Sequence, residues 1–362
     1  MNGNQDNSRL IRVLVADDSA FMRTALMRMI ESDPSLRVSG TAQNGLETLE
    51  KITALQPDVV TLDVEMPKLN GLETLKRIMQ EAPRPVIMVS SLTQEGAETT
   101  LDALASGAFD YVPKQLSYVS LDIIKIRDEL VEKIKAAAES GRRKPMARVT
   151  QPSRSDVRVS PLIANHVPPS VVALGTSTGG PKALQQILPI LPADLPVGVL
   201  IVQHMPPGFT GPFARRLDGL CKVRVREAVH DEPVEAGTVY IAPAGQQMTV
   251  QRRAPSRVTV RLSHTPDNTP HIPSVDVMML SAAEVYGALT MGIIMTGMGA
   301  DGLQGMQAIA RQGGLTVGQD EATCAVYGMP RSCAEAGVLQ RVVSLPRIPE
   351  QILQATRYRQ RA

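Results

Sequence analysis

Ser177 lies in the segment 171–188, VVALGTSTGGPKALQQIL, where an apolar run stops at a serine between glycines and an amphipathic pattern follows. GTSTG fits the G-x-S-x-G pattern, in which a serine stands on a tight turn between a strand and a helix. A hydroxyl placed there can attack a carbonyl carbon, because the free N–H groups of a helix N-terminus stabilise an anion. On this motif alone, a serine that merely caps the helix is the better interpretation.

A serine nucleophile needs a general base, and His204 is the histidine that ends an apolar strand, VGVLIVQH. The other histidines lie in linker, polar or proline-rich stretches: His166, His230, His264 and His271. Asp301 follows another apolar run, LTMGIIMTG. Because parallel strands end at one edge of a sheet, these three side chains should meet, and the carboxylate would fix the imidazole tautomer that accepts the serine proton. A serine hydrolase triad is therefore predicted.

Acidic residues follow two apolar runs in the first part of the chain. Asp17 and Asp18 come after RVLVA and Asp63 after VVTL, while Ser90 and Lys114 follow two further runs. Clustered carboxylates favour Mg²⁺, and a lysine and a hydroxyl beside them suit phosphoryl oxygens. Any one such aspartate is better explained as a cap or turn former. All five together predict transfer of a phosphoryl group onto a carboxylate.

The elements that position these residues form two α/β patterns. Five apolar runs, each followed by residues at a 3.6 period, predict a doubly wound, five-stranded parallel sheet before residue 133. A second doubly wound α/β pattern with a mainly parallel sheet begins at Val171. Residues from about 138 to 168 lack periodicity and are rich in Pro, Ser and Arg. They are predicted to form a flexible linker, although a basic segment could also bind an acidic surface.

Composition limits the protein class. The net charge of +2 combines −6 over residues 1–133, +5 over 134–168 and +3 over the rest. The small positive charge, the absence of Trp and the lack of a helix-turn-helix pattern argue against nucleic-acid binding. Three cysteines without C-x-x-C spacing indicate reduced core thiols. Neither a signal peptide nor an apolar run long enough to span a bilayer is found, so we expect a cytoplasmic location without membrane insertion.

Residues 9–133 resemble the receiver domain of two-component response regulators through VADDSAFMR, LDVEMPKLNGLE, VSSLT and GAFDYVPK. The resemblance implies that a histidine kinase phosphorylates Asp63. It also implies that Asp18, Asp63 and the backbone carbonyl of Glu65 hold Mg²⁺, with Asp17 assisting.

The same resemblance implies that Ser90 and Lys114 sense the phosphate and that Tyr111 is an aromatic switch. This chain departs from the family at Gln115, where the family usually has proline directly after the lysine.

The order Ser177, His204, Asp301 differs from that of α/β-hydrolases, in which the acid precedes the histidine. The segments LGTSTGGP, IVQHMPPGF, YIAPAGQQM, PSVDVMMLSAAEVYG and MTGMGADGLQGM instead resemble the catalytic domain of chemotaxis protein-glutamate methylesterases, over most of residues 170–345. This resemblance implies Ser177 as nucleophile, His204 as base and Asp301 as its orienter. It also implies an oxyanion hole that includes the backbone N–H of Met298, with Thr178 as a further contributor.

The resulting prediction is a receiver domain at 1–133, a helix end and flexible basic linker at 134–168, and a methylesterase domain at 169–362. The resemblance implies a phosphorylation-activated enzyme that demethylates glutamate methyl esters on methyl-accepting chemoreceptors and deamidates particular receptor glutamines. Mg²⁺ is expected in the receiver domain and no cofactor in the hydrolase domain. The alternative is a response regulator whose second domain is a non-catalytic binding module.

Overall fold

The computed structural model describes residues 10–91, 93–114, 120–142, 167–255 and 257–358. The chain divides into two compact units, Met1–Ala147 and Arg148–Ala362. Gln115 and most of the predicted linker lie outside the described residues.

The first unit is a five-stranded parallel sheet with helices after its strands, as the sequence predicted. Its strands are β1 (Ile11–Ala16), β2 (Leu36–Ala42), β3 (Val59–Asp63), β4 (Val86–Ser90) and β5 (Asp110–Pro113). Its helices are α1 (Ala20–Ile30), α2 (Gly45–Leu55), α3 (Gly71–Glu81), α4 (Gln94–Ala105) and α5 (Ser120–Arg142). The sheet order is β2-β1-β3-β4-β5, so the strand order reverses at β1 and β3. A crevice is expected at the carboxyl ends of these two strands.

Local sequence explains where these helices begin. Ser19, Asn44 and Asn70 precede α1, α2 and α3, and each side chain accepts a hydrogen bond from a backbone N–H three residues later. Helix α5 continues to Arg142, beyond residue 138 where the predicted linker began. The run KAAAE consists of strong helix formers, and Ala137 and Ala138 are buried, so packing and propensity together extend the helix.

The second unit contains a seven-stranded sheet in which every recorded pairing is parallel. Its strands are β6 (Val171–Thr176), β7 (Gly198–Gln203), β8 (Arg224–Glu227), β9 (Thr238–Ile241), β12 (Thr290–Ile294), β13 (Leu315–Gln319) and β14 (Arg341–Val343). The order is β14-β13-β12-β6-β7-β9-β8. The chain leaves β6 toward β7 and returns to its other side as β12, which makes the carboxyl ends of β6 and β12 the switch point.

The helices of the second unit follow the doubly wound pattern. They are α6 (Gly180–Ile187), α7 (Thr210–Asp218), α8 (Val275–Tyr286), α9 (Leu303–Arg311), α10 (Met329–Glu335) and α11 (Ile348–Ala355). One predicted strand, RVTVRLS, lies outside the main sheet: β10 (Gln247–Ala254) and β11 (Arg257–Ser263) form a separate antiparallel hairpin. Its alternating Val258, Val260 and Leu262 belong to the hydrophobic cluster that contains Met278 and Met279 of α8, which explains why it has the pattern of a partly buried strand.

Two other expectations from composition can be compared with the structure. Cys324 and Cys333 are buried and Cys221 is only half-buried, and all three are free thiols. Within the described ranges, no helix is both long and apolar enough to cross a membrane.

Each unit has its own hydrophobic core. One cluster lies wholly within the first unit and includes Val13, Val89 and Ile134, and another lies wholly within the second and includes Ala173, Met278 and Ile294.

Because each unit has its own hydrophobic core, we expect residues 148–362 to unfold cooperatively both alone and within the full chain. Differential scanning calorimetry of both proteins checks this. A fragment that lacks a cooperative transition would contradict it.

Candidate active site and phosphoacceptor pocket

Three carboxylates of the first unit lie together at the carboxyl ends of β1 and β3. Asp17, Asp18 and Asp63 each offer an oxygen, and these oxygens lie within 4.8 Å of one another. The Lys114 ammonium, from the end of β5, lies 2.6 Å from Asp63 Oδ2 and 3.1 Å from Asp17 Oδ2. Asp17 and Asp63 are buried, whereas Asp18 is exposed. The structure therefore brings four of the predicted residues into one pocket.

Backbone contacts fix the loops that carry these carboxylates. Asp17 Oδ1 accepts the N–H of Ser19 at 2.9 Å, and the Arg23 guanidinium donates to the carbonyls of Asp17 and Asp18 at 2.8 and 2.9 Å. The Glu65 N–H donates to Asp63 Oδ1 at 3.2 Å. The Asp63 carboxylate is thus held against the loop whose Glu65 carbonyl was predicted as a metal ligand.

The electrostatics of the pocket suit a hard divalent cation. Burial and the charge of Asp17 raise the pKa of Asp63 to about 6, although Lys114 and the Glu65 N–H partly oppose this. Two buried oxygens, Asp17 Oδ2 and Asp63 Oδ2, face the Lys114 ammonium as their charged partner among the described residues. Closely spaced, mutually repelling carboxylates are the oxygen ligands that Mg²⁺ prefers, so the residues fit this ion.

Ser90 and Tyr111, which were predicted to respond to the phosphate, contact groups outside the carboxylate cluster. Ser90 is fully buried, and its hydroxyl donates to the carbonyls of Ser91 and Gly96 at 3.2 Å, at the start of α4. Tyr111 is buried, and Lys133 Nζ lies 5.2 Å from its ring centroid while donating to its carbonyl at 2.6 Å. Burial raises the pKa of Tyr111 well above its usual range, so this ring is held as a neutral phenol.

In the second unit, Ser177 stands on the sharp turn between β6 and α6. Its N–H donates to Thr296 O at 3.0 Å, and its carbonyl accepts the N–H of Gly180 at 2.8 Å. Gly179 has φ +76°, a left-handed conformation that side chains rarely adopt. Gly297 also lies against the serine, since a Cβ on it would come within 2.9 Å of Ser177 Cβ. Glycines on both sides therefore let the backbone approach the hydroxyl closely.

Asp301 accepts four hydrogen bonds, which fix it at the N-terminus of α8. His204 Nε2 lies 2.8 Å from Oδ2, the Ser274 hydroxyl donates at 2.8 Å, and the N–H groups of Val275 and Asp276 donate at 2.8 and 2.9 Å. Burial raises the pKa of Asp301, but His204 and the backbone N–H groups outweigh it and lower the value to about 2. An ionised carboxylate against Nε2 means that Nε2 carries the proton.

Consequently Nδ1 of His204 is the nitrogen available as a base. It is buried and without a hydrogen-bond partner among the described residues, and the hydroxyl of Ser177 likewise forms no hydrogen bond with them. Their strand ends adjoin, because the N–H of His204 donates to Thr176 O at 3.2 Å. The serine–histidine bond is thus not formed in this structure, as is common in enzymes without substrate.

The structure adds a residue that the sequence reasoning set aside. His271 stacks on His204 with ring centroids 4.0 Å apart and an interplanar angle of 20°. A nearly parallel ring at this distance restricts rotation of the His204 imidazole about its Cβ–Cγ bond. One feature of the sequence could have indicated His271. Ser274 precedes an apolar run and therefore marks the N-terminus of a helix, and His271 lies just before that N-terminus, beside the crevice.

The proposed oxyanion-hole donors are free. The backbone N–H groups of Met298 and Thr178 have no acceptor within the described parts of the chain. Thr178 is buried and Met298 half-buried, and the Thr296 hydroxyl donates to Thr178 O at 2.9 Å, which fixes that peptide. Unpaired N–H groups beside a serine can stabilise a developing negative charge.

A second carboxylate supports Asp301 from behind. Asp276, in the first turn of α8, accepts the N–H of Gly305 at 2.8 Å, while its own N–H donates to Asp301. Asp276 therefore accepts a backbone N–H from the first turn of α9, and Asp301 accepts two from the first turn of α8. Burial raises the pKa of Asp276, with a contribution from the neighbouring Asp301 charge.

The fold and these two sites define a response regulator whose effector domain has a serine hydrolase arrangement, and comparisons with known proteins agree. Residues 172–352 match the family model described as CheB methylesterase, and residues 13–123 match the response regulator receiver domain. The chain belongs to the CheB methylesterase family.

Two relatives and one solved structure illustrate this membership. The protein-glutamate methylesterase/protein-glutamine glutaminase 1 of Oleidesulfovibrio alaskensis is 46% identical over 96% of this chain and 99% of that protein. The protein-glutamate methylesterase/protein-glutamine glutaminase of Pyrococcus horikoshii is 47% identical over 96% of this chain and 94% of that protein. The catalytic domain of Thermotoga maritima CheB methylesterase superposes with TM-score 0.50 and 38% identity, over 52% of this chain and 99% of that domain.

The raised pKa of Asp63 predicts how pH affects the first unit. A folded-state pKa of about 6 exceeds the unfolded value of ~3.9, so ionising Asp63 destabilises the fold as the pH rises through 6. Asp63→Asn should therefore raise the melting temperature of this unit at pH 8 and leave it nearly unchanged at pH 4. Added Mg²⁺ should raise the melting temperature of the wild type at pH 8 more than that of the variant.

Thermal unfolding monitored by circular dichroism at both pH values measures this effect. Glu50→Gln, which removes an exposed carboxylate, serves as the matched control and should show no pH-dependent difference. An equal response of both variants would contradict the assignment of the effect to the buried pocket.

Proposed function

We propose that this protein is a phosphorylation-activated serine hydrolase that removes methyl groups from glutamate side chains of methyl-accepting chemoreceptors and deamidates specific receptor glutamines. The observation that carries the chemistry is the ionised Asp301 held against Nε2 of His204, which leaves Nδ1 free beside the Ser177 turn. The substrate follows from family membership and from the names of the relatives.

In the acylation step, the hydroxyl oxygen of Ser177 attacks the carbonyl carbon of the γ-methyl ester while Nδ1 of His204 accepts the serine proton. The negative charge moves to the carbonyl oxygen, which the N–H groups of Met298 and Thr178 stabilise. The C–O bond to the methoxy group then breaks, and His204 returns the proton so that methanol leaves. A glutamyl ester of Ser177 remains.

In the deacylation step, a water molecule attacks the same carbonyl carbon with His204 again accepting the proton. Collapse of the second tetrahedral intermediate returns the proton to Ser177 and releases the glutamate carboxylate. With a glutamine substrate the leaving group is ammonia, and the steps are otherwise the same. Asp301 stays ionised throughout, because its four donors stabilise the carboxylate.

In this proposal the regulatory receiver domain comprises residues 1–133 and the hydrolase domain comprises residues 169–362. The helix end and linker at residues 134–168 connect the two domains. The Asp63 carboxylate accepts a phosphoryl group from the phosphohistidine of a chemotaxis histidine kinase. Asp17, Asp18, Asp63 and the Glu65 carbonyl would hold Mg²⁺, which neutralises charge on the phosphoryl oxygens. Lys114 keeps its charge beside the new phosphate, and rearrangement of Ser90 and Tyr111 transmits its presence. The proposed location is the cytoplasm, where such kinases and receptor helices meet.

The triad assignment predicts the effect of three substitutions. Ser177→Ala should abolish methanol release from methylated receptor and labelling by a fluorophosphonate. Asp301→Asn should lower the rate about 10⁴-fold, because the imidazole is then held in the wrong tautomer. Asp320→Asn is the matched control: it also follows a strand of the same sheet, but its carboxylate caps the turn at Thr323 and should leave turnover near normal.

Phosphorylation of Asp63 by a small phosphodonor should proceed in all three variants, because the substitutions lie outside the first unit. A cooperative thermal transition of the second unit in each variant shows that the substituted domain is folded. Near-normal turnover of Ser177→Ala would falsify the triad. A wild-type protein that is phosphorylated yet neither labels nor releases methanol would instead favour a second domain that only binds partners.

The receiver assignment predicts the response to phosphorylation. A small phosphodonor with Mg²⁺ should increase methanol release by the wild type, because the added charge of about −2 biases a two-state surface. Asp63→Asn should remain at the basal rate with or without the phosphodonor. Methanol release under both conditions measures this, and an Asp63→Asn variant that still responds would show that the regulatory phosphate lies elsewhere.

A further inference from the structure

Gln203 is a buried amide that the triad does not account for. It ends β7, immediately before His204, and its side chain is 2% exposed. Its Nε2 donates two hydrogen bonds of 3.0 Å, one to Ser177 O and one to His204 O. A single side-chain group therefore joins the backbone of the nucleophile to the backbone of the base.

The orientation of this amide follows from its partners. Both atoms that face Nε2 are carbonyl oxygens, which only accept hydrogen bonds, so the NH₂ group must point toward them. Oε1 points the other way, toward Gly180, where a Cβ would come within 2.0 Å of it, and it has no donor among the described residues. A buried acceptor without a donor is unfavourable, which indicates that the amide is present for its two donated bonds.

Gln203 belongs to a set of buried polar residues at the carboxyl ends of neighbouring strands. Thr176 Oγ1 donates to Thr296 O at 2.8 Å, which links the end of β6 to the segment after β12. Gln319 Oε1 accepts the Thr296 N–H at 2.9 Å, which links that segment to the end of β13. Gln203 is the corresponding link between the Ser177 turn and the end of β7.

We propose that Gln203 is a positioning residue that sets where the Ser177 hydroxyl lies relative to Nδ1 of His204. Both bonded carbonyls belong to the catalytic residues themselves, so a shift of either peptide moves a reacting atom. The inference rests on the proposed hydrolase function. The bond between Ser177 and His204 is not formed in this structure, so the Gln203 amide adds to the His204 N–H bond to Thr176 O in holding the two residues in register.

The test compares three variants of the full-length protein. Gln203→Met keeps the length of the side chain and removes both donors. Gln351→Met is the matched control, because Gln351 is also a buried glutamine with a hydrogen bond, to Arg341 in the same domain, but lies in α11. The measurements are kcat and KM for methanol release, the rate of fluorophosphonate labelling, and the melting temperature of the second unit.

Gln203→Met should lower kcat and the labelling rate by about 100-fold with little change in KM, because a displacement of about 1 Å is enough for that loss. Gln351→Met should lower the melting temperature without lowering kcat. A purely structural role of Gln203 predicts loss of melting temperature in both variants and loss of kcat in neither.

The third variant, Gln203→Glu, should give a pH dependence of kcat that a purely structural role of Gln203 would not produce. A protonated carboxyl can donate one of the two bonds, and burial raises its pKa, whereas the ionised form repels both carbonyls. The ratio of its kcat to that of Gln203→Met should therefore be above one at low pH and fall as the pH rises. The ionisable groups that face this position, His204, Asp301 and His271, are the same in both variants, so the ratio reports the effect of the added carboxyl group.

A Gln203→Met variant with wild-type kcat and labelling rate would overturn the proposal, as would a pH-independent ratio between the two Gln203 variants. These results differ from failure of the hydrolase function itself, in which the wild type neither labels nor releases methanol.

Discussion

The carboxylate of Asp301 is the interaction on which the arrangement of the second domain depends. Its two oxygens join the segment after β12 to the first turn of α8 and to the histidine at the end of β7. A carboxylate that accepts backbone N–H groups at a helix N-terminus is stabilised by the helix dipole as well as by hydrogen bonds. This explains why it stays ionised although it is mostly buried, and why it orients His204 without taking up its proton.

The same constraint accounts for the position of Asp276. Asp276 accepts an N–H from the first turn of α9, and Asp301 accepts N–H groups from the first turn of α8, so the two carboxylates lie close together and repel. Backbone donors offset that repulsion, because each carboxylate faces the positive end of a helix. Asp276 thus helps to fix Asp301, which in turn fixes Nε2 of His204, and the stacked His271 covers one face of the imidazole ring.

Much of the fold and of the candidate site could be predicted because the information is local. A polar residue directly after an apolar strand lies at the carboxyl edge of a parallel sheet, and this reasoning placed Asp17, Asp63, Ser177, His204 and Asp301 near their partners. The five-stranded sheet and the second α/β domain were confirmed for the same reason. The roles of Met298 and Thr178 came from resemblance, since a backbone N–H has no signature in sequence.

Contacts between distant segments could not be predicted. His271 reaches His204 across 67 residues, and its surroundings are those of an ordinary proline-rich loop. In the sequence Gln203 is indistinguishable from the other residues of a strand, and only the folded structure shows that its amide donates a hydrogen bond to the carbonyl of Ser177. The β10–β11 hairpin has the alternation of a sheet strand, and nothing local shows that it pairs outside the main sheet.

The order of strands in the second sheet has a consequence for synthesis on the ribosome. One edge of β6 pairs with β7, which is made soon afterwards, but its other edge pairs with β12. Thr296, just after β12, follows Thr176 by 120 positions, and synthesis of that length requires on the order of 6 to 24 s at roughly 5–20 residues per second. During that interval a strand whose residues are all buried in the folded protein has an open edge, which is the kind of surface that pairs with other chains. The edge of β6 is closed only when β12 has been synthesised and pairs with it.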